Sequence, residues 1–222
     1  MAVTSDGTTF LECGTSGLPN PGTASTLMTW FKVSANDGNT HGFVNLMNTL
    51  GSLKSAQIGY RSTTLRMWIW GGTDICDSGM TPTVGQWYHL AYTYDGVNSN
   101  KLYVDAVLKS SVTNALSSDS VDRLKILGDQ FAENLIGTQE DARVYDRALS
   151  LAEIETIFAC RGHDDIVRGL RARFPLNELS PGTSLSNQNL ARDISIEQNT
   201  PASGAKTGFT YADGRLSMRK RR

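Results

Sequence analysis

Five acidic residues lie close together between positions 140 and 155 of the 222-residue chain: Glu140, Asp141, Asp146, Glu153 and Glu155. Two carboxyl groups about 5 Å apart can hydrolyse a glycosidic bond, one acting as acid and the other as nucleophile. Here Glu140 and Asp141 are neighbours on a predicted strand and are expected to point to opposite faces. Glu153 and Glu155 are two apart on a predicted helix and face different directions. The pattern therefore predicts no catalytic pair and no enzyme.

Nucleophilic and phosphate-binding chemistry also lacks a motif. The sequence has three histidines, no Gly-x-Ser-x-Gly turn that would expose a serine, and no Walker-type loop. His89 is predicted to be an interior histidine with satisfied hydrogen bonds. The cysteines are far apart and odd in number, which argues against a disulfide framework or a zinc site. We expect all three to be buried or half-buried thiols: Cys13, Cys76 and Cys160.

Two Asp-Gly pairs, Asp6-Gly7 and Asp37-Gly38, fall in predicted loops and could supply calcium oxygens. Asp-Gly is also the commonest turn chemistry, and calcium needs six or more oxygens. No dense ladder of Asp and Asn accompanies either pair. Asp6 and Asp37 are therefore weak calcium candidates, and no other cofactor is predicted.

The segment LRMWIW, residues 65–70, alternates as a strand does. One face is predicted to enter the core through Leu65, Met67 and Ile69. The other face is either the inner face of a second sheet layer or an exposed aromatic platform for sugars or protein partners. Its residues are the candidates for ligand or interface contacts: Arg66, Trp68 and Trp70.

Short apolar runs separated by Gly, Ser, Thr and Asn predict many strands joined by turns, and 222 residues suffice for one large β-sandwich. Residues 87–94 alternate between two apolar faces, as expected of a central strand. No apolar run approaches the roughly 18 residues that a membrane span requires, so no membrane partner is expected.

A strand running into a capped helix is predicted near residue 150. Residues 143–146 alternate as an extended segment, and Ser150 with Glu153 forms a capping-box pattern. Ile154, Ile157 and Phe158 then recur at the spacing of one helical face. We therefore expect a short helix that packs this face onto the strands.

Three segments, in this order, resemble the laminin-G-like domains of the concanavalin A-like lectin/glucanase type. They are STLMTWFK (25–32), QWYHLAYTYDGVNSNKLYVDA (86–106) and the strand-to-helix junction GTQEDARVYDRALSLAEIETIF (137–158). The resemblance implies an all-β fold, a concanavalin-type jelly-roll β-sandwich of two antiparallel sheets with one short helix near residues 150–159. The domain is expected to occupy residues 1–162.

Two positions depart from the pattern of that family. A hairpin that usually turns on Asp-Gly carries Asp105-Ala106 here, and because glycine tolerates positive φ, we expect a different turn. Gln139 stands where relatives carry an apolar residue in the closing strand.

Residues 163–222 are predicted to form a C-terminal extension. Residues 169–195 resemble the opening of a laminin-G-like domain, so Leu170 to Leu176 is expected to add a strand to the sandwich or to a neighbouring subunit. A linker is the alternative, since residues 180–208 have little to bury. The chain ends in a basic cluster, either a solvated tail or a partner-binding one, made of Arg215, Arg219, Lys220, Arg221 and Arg222.

The basic ending and the lack of a visible secretory signal make the chain similar to small laminin-G-like proteins of tailed bacteriophage particles. That resemblance implies a non-catalytic virion structural protein, such as a capsid decoration or cement protein. It would be made in the host cytoplasm and bind a phage capsid or tail and further copies of itself. The alternative is a carbohydrate-binding, lectin-like adhesion module that recognises surface glycans, and a glycoside hydrolase is more remote. Nucleic acid is not an expected partner, because no basic face accompanies the tail.

Overall fold

The computed structural model describes residues 2–8, 10–14, 17–48, 55–69, 73–116, 120–128, 133–176, 194–199 and 206–211. Its strands, in chain order, are β1 (Val3–Asp6), β2 (Phe10–Gly14), β3 (Ser25–Val33), β4 (His41–Met47), β5 (Ser55–Arg61), β6 (Thr64–Ile69), β7 (Thr73–Asp77), β8 (Trp87–Tyr94), β9 (Ser99–Val104), β10 (Val107–Thr113), β11 (Arg123–Ile126), β12 (Ile136–Tyr145), β13 (Leu170–Phe174), β14 (Ile194–Asn199) and β15 (Lys206–Tyr211). The helix α1 spans Leu151–Cys160.

The strands form two antiparallel sheets, as the sequence predicts. Sheet A has the order β1-β12-β3-β8-β9-β10, and β13 pairs with β12 beyond the end of β1. Sheet B has the order β15-β14-β2-β11-β4-β5-β6-β7. Together with the single helix of the described residues, this arrangement is a concanavalin-like jelly-roll sandwich.

The main hydrophobic core lies between the two sheets. Strand alternation supplies it, as predicted for β8, whose Tyr88, Leu90, Tyr92 and Tyr94 all belong to the core. The opposite face of β8 contributes Ala91 to a second, smaller core beneath α1. Sheet A is therefore covered on both faces, by sheet B on one side and by the helix on the other.

Gln139 joins the two sheets within the main core. Its side chain is fully buried, and Nε2 donates to Thr29 Oγ1 and to the carbonyl oxygen of Phe43, at 3.0 Å each. Its Oε1 accepts from the backbone N–H of Leu127 at 3.1 Å. The polar residue that departs from the family pattern therefore has its hydrogen bonds satisfied across the sandwich.

Helix α1 begins as predicted. Ser150 is the N-cap, and its side chain and that of Glu153 form the reciprocal capping box. Ile154 and Ile157 are buried against sheet A, and the ring of Phe158 stacks on Trp30 with centroids 5.3 Å apart. The helix ends at Arg161, whose backbone is left-handed.

The hairpin turn between β9 and β10 corrects one prediction. Asp105 has φ of 51° and Ala106 has φ of 61°, the paired positive values that mark a type I′ turn. Replacing the usual glycine by Ala106 has thus not changed the two-residue turn. Ala106 therefore adopts a strained left-handed backbone conformation. In the same turn, the Asp105 carboxylate accepts from the backbone N–H of His89 at 2.8 Å.

The chain after the helix returns to the sandwich. Residues 170–174 form β13, which pairs with β12, and Ala172, Phe174 and Leu176 enter the main core. A division of the chain at residue 162 stays a prediction, as does any contact with a neighbouring subunit. None of the helices in the described ranges is long and apolar enough to cross a membrane.

The cysteines differ from the expectation in one respect. Cys76 is a buried thiol in the main core, and burial raises its pKa to about 11. Cys160 is exposed at the end of α1, so the prediction of a buried or half-buried thiol is wrong there. Some side chains in the last turn of a surface helix point to solvent. Helical periodicity alone does not show which positions make tertiary contacts, so it did not identify Cys160 as exposed. The side chain of Cys13 lies outside the described set.

Candidate functional site

A row of polar side-chain positions crosses the face of sheet B that points away from the core. Strand pairing puts Lys125 opposite both Glu12 and Asn45, and continues from Asn45 through Gln57 and Trp68 to Asp74. The row thus runs in register across six adjacent strands. We call it the polar row: Glu12, Lys125, Asn45, Gln57, Trp68 and Asp74.

Alternation along the strands fixes the direction of the polar row. Val44 and Leu46 enter the core on either side of Asn45, and Ala56 and Ile58 do so on either side of Gln57. The same rule puts Arg66 on the outward face, because Leu65 and Met67 are core residues. The predicted division of the LRMWIW segment into two faces is confirmed for Leu65, Arg66 and Met67.

The middle of the polar row is buried although it faces away from the core. Asn45 has an exposed fraction of 0%, and within the described part of the chain neither Oδ1 nor Nδ2 of its amide has a hydrogen-bond partner. Buried polar atoms are normally paired, because leaving them unpaired costs stability. The buried Asn45 amide therefore adds no hydrogen bond to the fold within the described residues.

One end of the polar row is a partly exposed cluster of charged residues around Arg66. Its guanidinium forms ion pairs with Asp74 and, at 3.1 Å, with Asp77 Oδ2, and its Nε donates to Thr64 Oγ1 at 2.7 Å. Asp74 also accepts from Arg61 Nη1 at 3.2 Å. The guanidinium and carboxylate groups of this cluster are planar and can each form two hydrogen bonds. Their ion pairs hold them in place, and they remain partly exposed to solvent.

The other end of the polar row is also charged. Glu12 pairs with Arg123 at 3.0 Å and with Lys125 at 3.7 Å, and the Lys125 ammonium lies 3.9 Å from the centroid of the Phe10 ring. Charged groups therefore bracket the buried amides on both sides.

The three predicted platform residues are only partly brought together. Arg66 lies in the charged cluster, and Trp68 is in register between Gln57 and Asp74, although its side chain is not among the described atoms. Trp70 lies outside the described residues. So does the basic tail of Arg215, Arg219, Lys220, Arg221 and Arg222.

The calcium candidates are occupied by turn hydrogen bonds. The Asp6 carboxylate accepts from the backbone and side chain of Thr8, which lowers its pKa. Asp37 accepts from Asn39 and from His41 Nε2, at 2.9 Å in the latter case. Burial opposes ionisation of Asp37, but these hydrogen bonds outweigh it and lower its pKa to about 2.

The surroundings of Asp37 do not suit a hard cation. His41 Nδ1 lies 2.5 Å from the carbonyl oxygen of Asn134, so both ring nitrogens of His41 face oxygen atoms. These residues line a polar cavity of about 430 Å³. Among the described residues, no three Asp, Glu, His or Cys side chains are grouped to hold a metal. A calcium site at Asp6 or Asp37 stays a prediction, and this donor set does not favour it.

The acidic residues near position 140 separate, but not for the reason predicted. A bulge interrupts the pairing of β12 with β3 between Glu140 and Arg143, and Asp141 has a left-handed φ of 49°. Asp141 consequently turns to Arg143 and Arg173. Glu140 borders a cavity on the same outward side of sheet A, so the expectation of opposite faces is wrong.

Sequence reasoning missed most of the polar row. Lys125, Asn45 and Gln57 are isolated polar residues within apolar strands, and single strands do not show that they meet. The available signal was the single amide of Asn45 inside a strand whose residues are all buried, where a near-continuous apolar run is expected.

Comparison with known proteins agrees with the jelly-roll fold. The family model described as the concanavalin A-like lectin/glucanases superfamily matches residues 5–155. No curated protein matches the sequence.

Several solved structures have a similar fold at low sequence identity. A heptameric SAP-like pentraxin from Limulus polyphemus is 18% identical, with a TM-score of 0.56 over 72% of this chain and 80% of its own. A protein from Bacteroides ovatus assigned to carbohydrate binding is 16% identical, with a TM-score of 0.62 over 91% of this chain and 60% of its own. Domain 4 of a Geobacillus stearothermophilus arabinanase, bound to arabinotriose, is 17% identical, with a TM-score of 0.55 over 69% of this chain and 74% of its own. At these identities the likeness is one of fold.

Proposed function

The chain belongs to the concanavalin A-like lectin/glucanase superfamily, and from that premise we propose that it is a non-catalytic, carbohydrate-binding module. The observation that carries the proposal is the polar row, in which the backbone register sets the Trp68 position between the amide position of Gln57 and the carboxylate position of Asp74. Two of the similar structures support it, since one is assigned to carbohydrate binding and another holds arabinotriose.

The polar row suits sugar chemistry. A sugar ring offers hydroxyl groups that both donate and accept, and an apolar face of C–H groups. Carboxylates and guanidinium groups such as Asp74 and Arg66 can bind adjacent hydroxyls in pairs, and an indole such as that of Trp68 can stack on the apolar face. Asn45 and Gln57 continue the row as buried amides behind these groups. We expect the exposed Arg66 cluster to provide the first contacts.

Binding without hydrolysis follows from the positions of the acids. The Asp74 and Asp77 carboxylates are both ion-paired with Arg66, so they are not a free acid and nucleophile pair facing a glycosidic bond. Elsewhere Asp141 is bound by two arginines and Glu153 by Arg147. Sialidase chains with a similar fold extend well beyond it, since this chain covers 23% of one from Trypanosoma rangeli.

A glycan array followed by titration of the hits tests the proposal. We expect saturable binding by the wild-type protein and at least a ten-fold loss of affinity in Trp68→Ala and in Asp74→Asn. Asp165→Asn is the matched control, because this exposed aspartate lies on the opposite side of the sandwich and its removal should leave affinity unchanged.

The same experiment separates the module from a particle component. Absence of saturable glycan binding would overturn the proposal. If the protein then co-sediments with assembled phage particles, the structural interpretation of the sequence takes its place. Equal loss of affinity in Asp74→Asn and Asp165→Asn would show that the polar row is not the binding face.

A further inference from the structure

A second cavity lies on the other side of the molecule, where α1 ends over the outward face of sheet A. Its volume is about 450 Å³, within the range of small-molecule sites. Strand pairing builds its floor, because Trp30 on β3 is opposite Glu140 on β12 and His89 on β8. Trp87 precedes His89 by two positions on β8 and so lies on the same face. We call it the helix-end cavity; its lining residues are Ala2, Trp30, Trp87, Glu140, Arg161 and His163.

Two buried ring nitrogens, one on the lining residue Trp30 and one on the adjacent His89, have no hydrogen-bond partner among the described residues. Trp30 is 7% exposed and His89 1% exposed, and their ring centroids are 5.2 Å apart. Within the described residues, neither Trp30 Nε1 nor His89 Nδ1 has a hydrogen-bond partner, which corrects the prediction of a satisfied His89. Burial lowers the pKa of His89 to about 4, so the ring is neutral near pH 7. Unpaired buried groups beside a cavity mark it as a place where a ligand could supply the missing hydrogen bonds.

Two cations lie on the indoles of the cavity, Arg161 within the lining and Lys32 beside it, against one carboxylate in the lining. The guanidinium of Arg161 lies 5.2 Å from the centroid of the Trp30 ring, and the ammonium of Lys32 lies 5.4 Å from that of Trp87. Glu140 is the one carboxylate among the lining residues, and His163 adds an imidazole. A cationic ligand would have to displace the two cations that already cover the indoles. An anionic ligand would gain from both.

These features define a ligand with a carboxylate, several hydroxyls and an apolar face. A carboxylate can accept from Arg161 in a bidentate manner, hydroxyl groups can donate to Glu140, and a ring can lie against the half-buried Trp87. We propose that the helix-end cavity binds an acidic sugar unit, a hexuronate, independently of the polar row on sheet B. The protein would then hold two different sugar units on opposite faces.

Titration with sodium D-galacturonate, compared with D-galactose, tests this site. Quenching of tryptophan fluorescence is the first readout, and chemical-shift changes in the NMR spectrum are the second. We expect saturable binding of galacturonate that weakens with added salt, and much weaker binding of galactose. Arg161→Gln should reduce the affinity for galacturonate at least ten-fold, and Trp87→Ala should reduce both the affinity and the quenching.

Two matched variants keep the outcomes separate. Arg168→Gln removes an exposed arginine outside the cavity and should leave galacturonate binding unchanged. Trp68→Ala should also leave it unchanged, so failure at sheet B is distinguishable from failure here. Equal affinity for galactose and galacturonate would overturn the proposal, as would equal losses in Arg161→Gln and Arg168→Gln or the absence of saturable binding.

Discussion

Arg143 and Asp164 form a buried ion pair that ties the chain after the helix to the centre of sheet A. Arg143 Nη2 lies 2.7 Å from Asp164 Oδ2, and both side chains are shielded from solvent almost completely. Asp141 Oδ2 approaches the same nitrogen at 2.6 Å, and Asp141 Oδ1 accepts from Arg173 on β13 at 2.7 Å. Two carboxylates and two guanidinium groups thus alternate, which offsets much of the cost of burying them.

Removing one carboxylate should therefore be costly. Asp164→Asn leaves Arg143 buried with a single anionic partner, and we expect the free energy of unfolding to fall by about 3 kcal/mol. Urea denaturation measures it. Asp165→Asn, at the exposed neighbouring position, is the control and should change the stability by less than about 0.5 kcal/mol. Similar losses of unfolding free energy in the two variants would show that the buried ion pair contributes no more to stability than an exposed aspartate.

Gln139 should act as a polar link between the sheets. Gln139→Leu keeps the approximate volume but leaves the backbone N–H of Leu127 and the carbonyl of Phe43 without the amide. The expected loss is about 1 kcal/mol, the net value of a hydrogen bond, because the Leu127 N–H still donates to the carbonyl of Phe43 at 3.1 Å and neither group is left unpaired. Thermal unfolding measures it, with the exposed Gln86→Leu as the control. An unchanged or raised melting temperature in Gln139→Leu would contradict this account.

The turn at Ala106 allows a gain in stability. Ala106→Gly removes the left-handed strain of an alanine at φ of 61° and should raise the free energy of unfolding by about 0.5–1 kcal/mol. Ala152→Gly on the exposed side of α1 should have the opposite effect, a loss of about 1 kcal/mol. Urea titration of both variants checks the pair of signs. A loss in Ala106→Gly would mean that the turn is not strained.

The capping box should make stability depend on acid pH. The hydrogen bond from Arg147 is the main cause that lowers the pKa of Glu153 to about 2, aided by those from Ser150. Because the folded-state pKa lies below the usual value of 4.5, the ionised side chain stabilises the fold fully above that pH. This contribution is lost as the pH falls towards 2.

Comparison with Glu153→Gln measures the effect. The difference in melting temperature between the wild type and Glu153→Gln should be largest above about pH 4.5 and should shrink as the pH falls towards 2. Glu155→Gln, on the exposed side of the same helix, is the control. A difference that stays constant over this range would contradict the role assigned to the Glu153 carboxylate.

The sequence predicts local structure here better than it predicts how strands meet. The helix follows from its capping box and spacing, and the faces of β6 and β8 follow from alternation, because these signals depend only on neighbouring residues. The bulge at Asp141 escapes such reasoning, since it needs a positive φ at a residue other than glycine. Tertiary contacts with Arg143 and Arg173 stabilise that conformation, and they come from distant segments.

The candidate sites depend still more on pairing between strands. Arg66 and Trp68 were identifiable from one strand, but Asn45 and Lys125 join them only through the register of sheet B. The helix-end cavity likewise needs the end of α1 to lie over two paired strands. Periodicity alone gives the face of a residue and not its cross-strand neighbours.

Asn45 offers the sharpest contrast between stability and binding. Its fully buried amide makes no hydrogen bond within the described residues. Burying this polar group therefore costs free energy that no hydrogen bond offsets. Asn45→Leu should therefore leave the free energy of unfolding unchanged or raise it by about 1 kcal/mol. If the polar row binds sugars, the same variant should weaken glycan binding at least ten-fold, as measured by calorimetric titration. Asn36→Leu is the matched control, because its Nδ2 donates to the carbonyl of Pro82 at 2.7 Å and its loss should cost stability without affecting binding. A destabilised Asn45→Leu protein would show that the amide has a structural partner. The unpaired amide would then no longer support a binding role for the polar row.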